Sequence, residues 1–148
     1  MTEKDIRDLL ETRYGRGYVF CAQVATESGA FGGYVDAVAM GIWPSTGYEV
    51  HGFEIKTNRS DFLRELKQPE KSRARDYVNR WWIVAPFGCI DKRELPEDWG
   101  LLEVKNGKLK QIKWATKYDR PIPISFMASI LRRVAKIDIN IINGTSIQ

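Results

Sequence analysis

Hydrophobic positions along the chain switch between a helical and a strand-like period at identifiable points. Behind Thr2, a good N-cap, Ile6, Leu9 and Leu10 fall at helical spacing, which predicts a helix over about residues 3–14, ended by Gly15-Arg16-Gly17. Tyr18-Val19-Phe20-Cys21-Ala22-Gln23-Val24 predicts a strand, and Ser28-Gly29-Ala30-Phe31-Gly32-Gly33 a flexible glycine loop. Two more strand-like runs follow, Tyr34 to Met40 and Val50 to Lys56. The turn Trp43-Pro44-Ser45-Thr46-Gly47 between them is short enough to bring the chain back antiparallel. Ser60 is placed to cap a helix bearing Phe62, Leu63 and Leu66, with Asp61 in its first turn, and Pro69 opens a further segment to about Val78. Trp81-Trp82-Ile83-Val84-Ala85-Pro86 is wholly apolar, the pattern of an interior strand. After a loop from Phe87 to Asp98, Asn106-Gly107 joins the runs 101–105 and 108–113 as a hairpin, and a last helix is expected over about 124–136. The order predicts an α/β sandwich with a mixed central sheet flanked by helices, plus a C-terminal hairpin and helix.

Three charges break the strand pattern. Asp36 sits in the middle of one apolar run, and Glu54-Ile55-Lys56 closes the other. Ionised groups in such runs are expensive unless something pairs with them. Side chains at i and i+2 of a strand share a face, so Glu54 and Lys56 point the same way. If the two strands are neighbours, two carboxylates and an ammonium converge, an arrangement suited to a divalent ion and a phosphodiester. Two carboxylates suit Mg²⁺, and the Ile55 carbonyl adds an oxygen on the same edge. Lys56 can orient or deprotonate a water, or stabilise an oxyanion. The other reading of these residues is a buried Asp36–Lys56 salt bridge with Glu54 facing solvent. Glu-x-Lys by itself is near chance frequency, and Glu103-Val104-Lys105 repeats it on an exposed-looking hairpin. The first copy differs by its Asp-bearing neighbour strand and by the basic helical region after it, with Arg59, Arg64, Lys67, Lys71, Arg73, Arg75 and Arg80. Such groups can hold nucleic-acid phosphates. Acids at helical spacing, Asp61 to Arg64 and Asp76 to Arg80, would pair with some of them.

Composition narrows the choice. With 148 residues, 43% apolar and 28% charged, the chain suits one domain over residues 1–137 and a flexible tail over 138–148. No apolar run reaches a membrane span, and the charged opening Met1 to Asp5 lacks a secretory signal's apolar stretch, so a cytoplasmic location and no membrane partner are expected. Cys21 and Cys89 have no metal-ligand spacing and are expected as reduced thiols. The single His51 leaves little material for a zinc site, and it lies one residue off the Glu54/Lys56 face, against a Ser/His/Asp triad. Residues 105–136 hold nine Lys or Arg against Asp119, on a chain whose net charge is only +4, which fits a polyanion partner. Trp81 and Trp82 are expected in the core, while Trp43, Trp99 and Trp114 fall in loops or edges, where they could serve a protein-binding adaptor.

Asp36 with Glu54-Ile55-Lys56, in an αβββαβ order, resembles the PD-(D/E)xK phosphodiesterase superfamily, whose core is the restriction-endonuclease-like fold. Longer strings are similar to bacterial and phage-encoded nuclease-like proteins that include the MmcB-like DNA repair proteins. They are Val35 to Pro44, Gly52-Phe53-Glu54-Ile55-Lys56-Thr57-Asn58-Arg59-Ser60-Asp61-Phe62-Leu63-Arg64-Glu65-Leu66-Lys67, Asn79 to Pro86, and Leu95 to Leu102. The resemblance implies a Mg²⁺-dependent DNA endonuclease, with Mn²⁺ able to substitute, acting in DNA repair, recombination or phage DNA processing. It implies Asp36 and Glu54 as metal ligands with the Ile55 carbonyl, and Lys56 as the catalytic lysine. Arg59, Ser60, Arg64, Lys67, Lys71 and Arg73 would then meet the DNA. Many members add an acid upstream. Here the strand position holds Gln23, with Glu27 in the following loop and Glu11 on the first helix as other sources. That departure keeps a second expectation open, a nuclease-fold module that binds nucleic acid without cutting it. The residues leave a homodimer open as well.

Overall fold

The computed structural model describes residues 1–26, 33–67 and 74–136. The first helix, α1 (Glu3–Arg13), begins where the sequence placed it. The Thr2 hydroxyl accepts from Asp5 N–H at 3.1 Å while Asp5 accepts from Thr2 N–H at 2.8 Å, a reciprocal capping box. Six strands follow: β1 (Tyr18–Ala25), β2 (Tyr34–Gly41), β3 (Val50–Ile55), β4 (Arg80–Pro86), β5 (Gly100–Lys105) and β6 (Lys108–Lys113). They lie in one sheet in chain order. β1, β2 and β3 are antiparallel, β3, β4 and β5 are parallel, and β6 returns antiparallel.

Connection length explains this mixture. The eight-residue connection after β2 (42–49) is too short for a crossover and allows only a hairpin-like return, whereas β3 reaches β4 through a crossover containing α2 (Arg59–Leu66), which leaves room for a parallel pair. Asn106 (φ 53°) and Gly107 (φ 73°) both adopt left-handed backbone, as a two-residue hairpin loop matched to strand twist requires.

Both faces of the sheet are covered. Ile6, Leu10 and Tyr14 of α1 pack with Phe53, Trp82 and Leu102 on one face. Phe62 of α2 and Phe126 and Ile130 of α3 (Ile124–Val134) pack with Trp81, Ile83 and Leu101 on the other. Among the described residues the result is a mixed α/β fold with a six-stranded sheet flanked by three α-helices. β4, the wholly apolar run, has a parallel neighbour on each side, and Trp81 and Trp82 are both buried. Cys21 and Cys89 are free thiols. No helix among the described residues is long and apolar enough to cross a membrane.

Three expectations are corrected. Asn58, not Ser60, caps α2: its side chain accepts from Asp61 N–H at 3.0 Å, and Ser60 is already helical. Glu103 is buried rather than exposed, and it accepts from Gly88 N–H at 3.2 Å. Trp99 is a core residue, leaving Trp43 and Trp114 as the exposed tryptophans. Most of the predicted glycine loop, residues 68–73 of the segment after Pro69, and the tail from 137 onward lie outside the described residues.

Candidate active site

β2 and β3 pair from Met40↔Val50 to Ala37↔Phe53, and there the ladder stops. Two residues further along β3, the Ile55 N–H donates instead to the Asp36 carboxylate, at 2.8 Å from Oδ2. A side chain thus takes a backbone partner's place where the strands diverge. The face alternation of β2 breaks at the same residue. Val35 and Val38 belong to one core, and Ala37 and Ala39 to the other. Gln23 lies between the β1 partners of Ala37 and Val35, so it stands across from Asp36 with left-handed backbone (φ 56°). The kink that frees Asp36 from the pleat therefore involves both strands.

Lys56 follows β3 directly, and its N–H donates to Val84 O at 2.9 Å, keeping it registered on β4. Its ammonium lies 3.4 Å from Glu54 Oε1 and 3.0 Å from Glu65 Oε1, the latter carried by α2. These three side chains are 13%, 20% and 11% exposed, for Lys56, Glu54 and Glu65 respectively. Lys56 therefore bridges two glutamates, and the expected alternative of an Asp36–Lys56 pair with Glu54 in solvent is not what forms.

Burial strains the charges at this spot. Desolvation raises the Asp36 carboxyl to about 6; the Ile55 amide opposes the shift, while Glu3 and Glu65 add to it. Glu54 is raised further, to about 9, first by desolvation, then by the charges of Asp36 and Glu65, with Lys56 opposing. Burial alone would lower Lys56, but attraction to Glu54 and Glu65 lifts it above the ordinary lysine value, so it remains an ammonium. Asp36, Glu54 and Glu65 thus share the one cation Lys56, and Glu3 adds its charge on the Asp36 side. Two of their oxygens, Glu65 Oε2 and Glu3 Oε1, are buried without a hydrogen-bond partner.

No protein-family model matches the chain, and no curated protein matches it. Among solved structures, the SPO1766 protein of unknown function from Silicibacter pomeroyi is similar, with a TM-score of 0.65 at 16% identity over 99% of this chain and 97% of that one. At that identity the likeness shows a shared fold alone.

The expected site residues divide into groups. Asp36, Glu54, Lys56 and the Ile55 backbone come together. Gln23 stands opposite Asp36 in register but is exposed, Glu11 is exposed on α1, and Glu27 lies outside the described residues. The acids that approach from the flanking helices are Glu3 and Glu65, neither singled out from sequence. A signal for both was present. Glu3 stands three residues before Ile6 and seven before Leu10, and Glu65 three residues after Phe62, so each is a charge on its helix's buried stripe.

The expected phosphate-binding set also changes. Arg59 is already committed: it clamps Glu94 with two hydrogen bonds of 2.8 and 2.6 Å and donates to Cys89 O at 3.0 Å. Arg80 pairs with Glu49 at 2.9 Å rather than with Asp76, which faces Arg120. Arg64 stands 3.5 Å from Asp61 as its spacing suggested, and it is exposed together with Ser60 and Lys67. Lys71 and Arg73 lie outside the described residues.

The donor chemistry here suits a hard divalent cation. Every side-chain acceptor is a carboxylate oxygen, negative charge exceeds positive, and the Glu54 carboxyl is crowded against Glu65 and Asp36. Among the described residues no three His, Cys, Asp or Glu side chains form a ready metal-holding group. Mg²⁺ is commonly held by one or two carboxylates and keeps several waters, so Asp36 and Glu54 suffice as protein ligands.

Proposed function

We propose that this chain is a Mg²⁺-dependent DNA endonuclease of the PD-(D/E)xK type, built on a restriction-endonuclease-like core, with Mn²⁺ able to substitute. The carrying observation is the excess of buried carboxylates over Lys56 at the point where β2 and β3 diverge. Asp36 and Glu54, with the Ile55 carbonyl, would hold the ion. When bound, it supplies a water of lowered pKa and neutralises charge on the scissile phosphate. Asp36 Oδ2 is occupied by the Ile55 amide, which leaves Oδ1 to coordinate. Glu54 must give up its proton to coordinate, so ion binding strengthens as pH rises. Lys56, held as an ammonium, serves as a donor to the phosphoryl oxygen or the attacking water rather than as a base. Exposed Arg64 and Lys67 on α2 can hold the DNA backbone beside it.

Nicking of supercoiled plasmid in Mg²⁺ or Mn²⁺ is the test. Wild type should cut, and Lys56→Ala and Asp36→Ala should each lose at least about a hundredfold, the scale of removing a charge-stabilising donor. Cutting by wild type no faster than by either variant ends the proposal. A second reading draws on Gln23, which stands across from Asp36 where many such nucleases carry an acid. A nuclease-fold module would bind DNA in a salt-dependent way in EDTA, never cut it, and show no heat of Mg²⁺ binding that Asp36→Asn abolishes.

A further inference from the structure

The other end of β3 carries a separate feature. Glu49 and His51 there, with Arg80 and Trp82 of β4, line a cavity of about 670 Å³ that Arg13 and Trp114 also line. That volume lies in the range of small-molecule sites. His51 precedes Lys56 by five residues, so the cavity lies about 16 Å from the carboxylate cluster along the strand. α1 spans the same distance, with Glu3 at one end and Arg13 at the other.

His51 is the informative residue. It is only 5% exposed. Its Nδ1 lies 3.0 Å from Trp82 Nε1, and an indole nitrogen can only donate, so Nδ1 accepts. Burial, with Arg80 nearby, lowers the imidazole to about 4 against the pull of Glu49, so the ring is neutral near pH 7. In the neutral ring the proton then belongs on Nε2. That N–H is itself buried, on a residue that lines the cavity, and its one nearby acceptor is the Glu49 carboxylate, whose Oε2 stands 3.4 Å away and is poorly aligned. Glu49 is instead engaged by Arg80 through two hydrogen bonds of 2.9 and 3.3 Å. The lining therefore holds a buried donor whose only nearby acceptor is a poorly aligned carboxylate already engaged by Arg80.

Trp114 supplies the second, independent observation. A tryptophan that is 66% exposed, its indole 5.5 Å from the Arg80 guanidinium, forms a flat wall of the cavity. Arg13 and Arg80 bring positive charge to the lining, and Lys117 lies just beyond it, 3.7 Å from Glu49 Oε1 and 3.4 Å from Asp119 Oδ1. A flat aromatic wall, an edge that both donates and accepts, and cationic groups beside it suit a planar heterocycle attached to a phosphate.

We propose that this cavity takes an unpaired nucleobase, stacked on Trp114 with its polar edge against His51 Nε2 and Glu49 and its phosphate toward Arg13 and Lys117. A base splayed from a single strand and a free nucleotide share this chemistry. Stacking on an exposed aromatic tolerates any base, so recognition is of an unpaired base rather than of sequence.

The experiment works in EDTA, where cleavage plays no part, so its failure is distinct from failure of the nuclease reading. Fluorescence anisotropy compares a labelled oligothymidylate with an abasic strand of equal phosphate count. Wild type should bind the base-bearing strand about tenfold more tightly, Trp114→Ala should erase the difference, and Trp114→Phe should keep most of it. Competition by thymidine monophosphate would identify a free nucleotide as a sufficient ligand, and lack of competition would assign the site to strands. Equal binding of the abasic strand, or a Trp114→Ala variant that still discriminates, overturns the proposal.

Discussion

Replacing Glu54 by Gln should stabilise the ion-free protein at neutral and alkaline pH. Gln keeps the shape of Glu54 and removes the charge that burial, Asp36 and Glu65 oppose. The folded-state value of about 9 lies above the ordinary 4.5, so the folded protein holds a proton that the unfolded chain releases. A carboxyl raised in this way contributes stability that is fully present below about pH 4.5 and is lost as pH climbs toward 9. Near pH 7 the chain has crossed about 2.5 pH units of that window, which at about 1.4 kcal/mol per unit bounds the loss at roughly 3 kcal/mol. Part of the repulsion belongs to Asp36 and Glu65, so a gain of about 2 kcal/mol is expected for Glu54→Gln. In a domain of this size that raises Tm by about 4–8 °C. The assay is urea and thermal unfolding of both proteins in EDTA, from about pH 5 to pH 9. Wild type should lose stability steadily across the range, whereas the variant should flatten above about pH 6, where the Asp36 contribution ends. Added Mg²⁺ should restore wild type at the alkaline end and leave the variant almost unmoved. A wild-type profile that is flat or rises with pH refutes the reasoning, as does a variant less stable than wild type near pH 8.

Two further outcomes concern the frame around the site. Asn58→Ala should cost about 1 kcal/mol in urea unfolding through loss of the α2 cap, while Ser60→Ala should stay within about 0.5 kcal/mol. Arg80→Ala should cost about 2 kcal/mol, because it leaves the half-buried Glu49 carboxylate with only Lys117 at 3.7 Å and frees Ala115 O, and Glu49→Gln in the same chain should recover part of that loss.

Much of the scaffold was legible because the rules that shape it are local. The Thr2 capping box acts within one turn, Asn106-Gly107 must adopt left-handed backbone wherever a two-residue hairpin loop forms, and a wholly apolar run such as Trp81 to Ala85 has nowhere to go but the sheet interior. The central trio was legible for the same reason, since i and i+2 on a strand share a face and a charge inside an apolar run demands a partner. The α2 cap was misplaced because Asn58 and Ser60 are both strong cap formers two residues apart, and only the path of the chain leaving β3 selects between them.

By itself, then, the sequence determined the order and type of the elements and the presence of Asp36 and Glu54 on neighbouring strands, with Lys56 directly after the second. Only tertiary structure decided which charges meet. Lys56 bridges to Glu65 instead of Asp36, Asp36 caps the Ile55 amide where two strands part, Arg59 is spent on Glu94, and Arg80 and Lys117 gather on Glu49. The physical reason is range. Periodicity constrains side chains within one helix or strand, whereas most of these partners are brought together from different elements by packing two helix layers on one sheet. Such pairs have no spacing rule to reveal them. The His51 tautomer is the extreme case, since it follows from a single indole N–H held 3.0 Å away on the neighbouring strand.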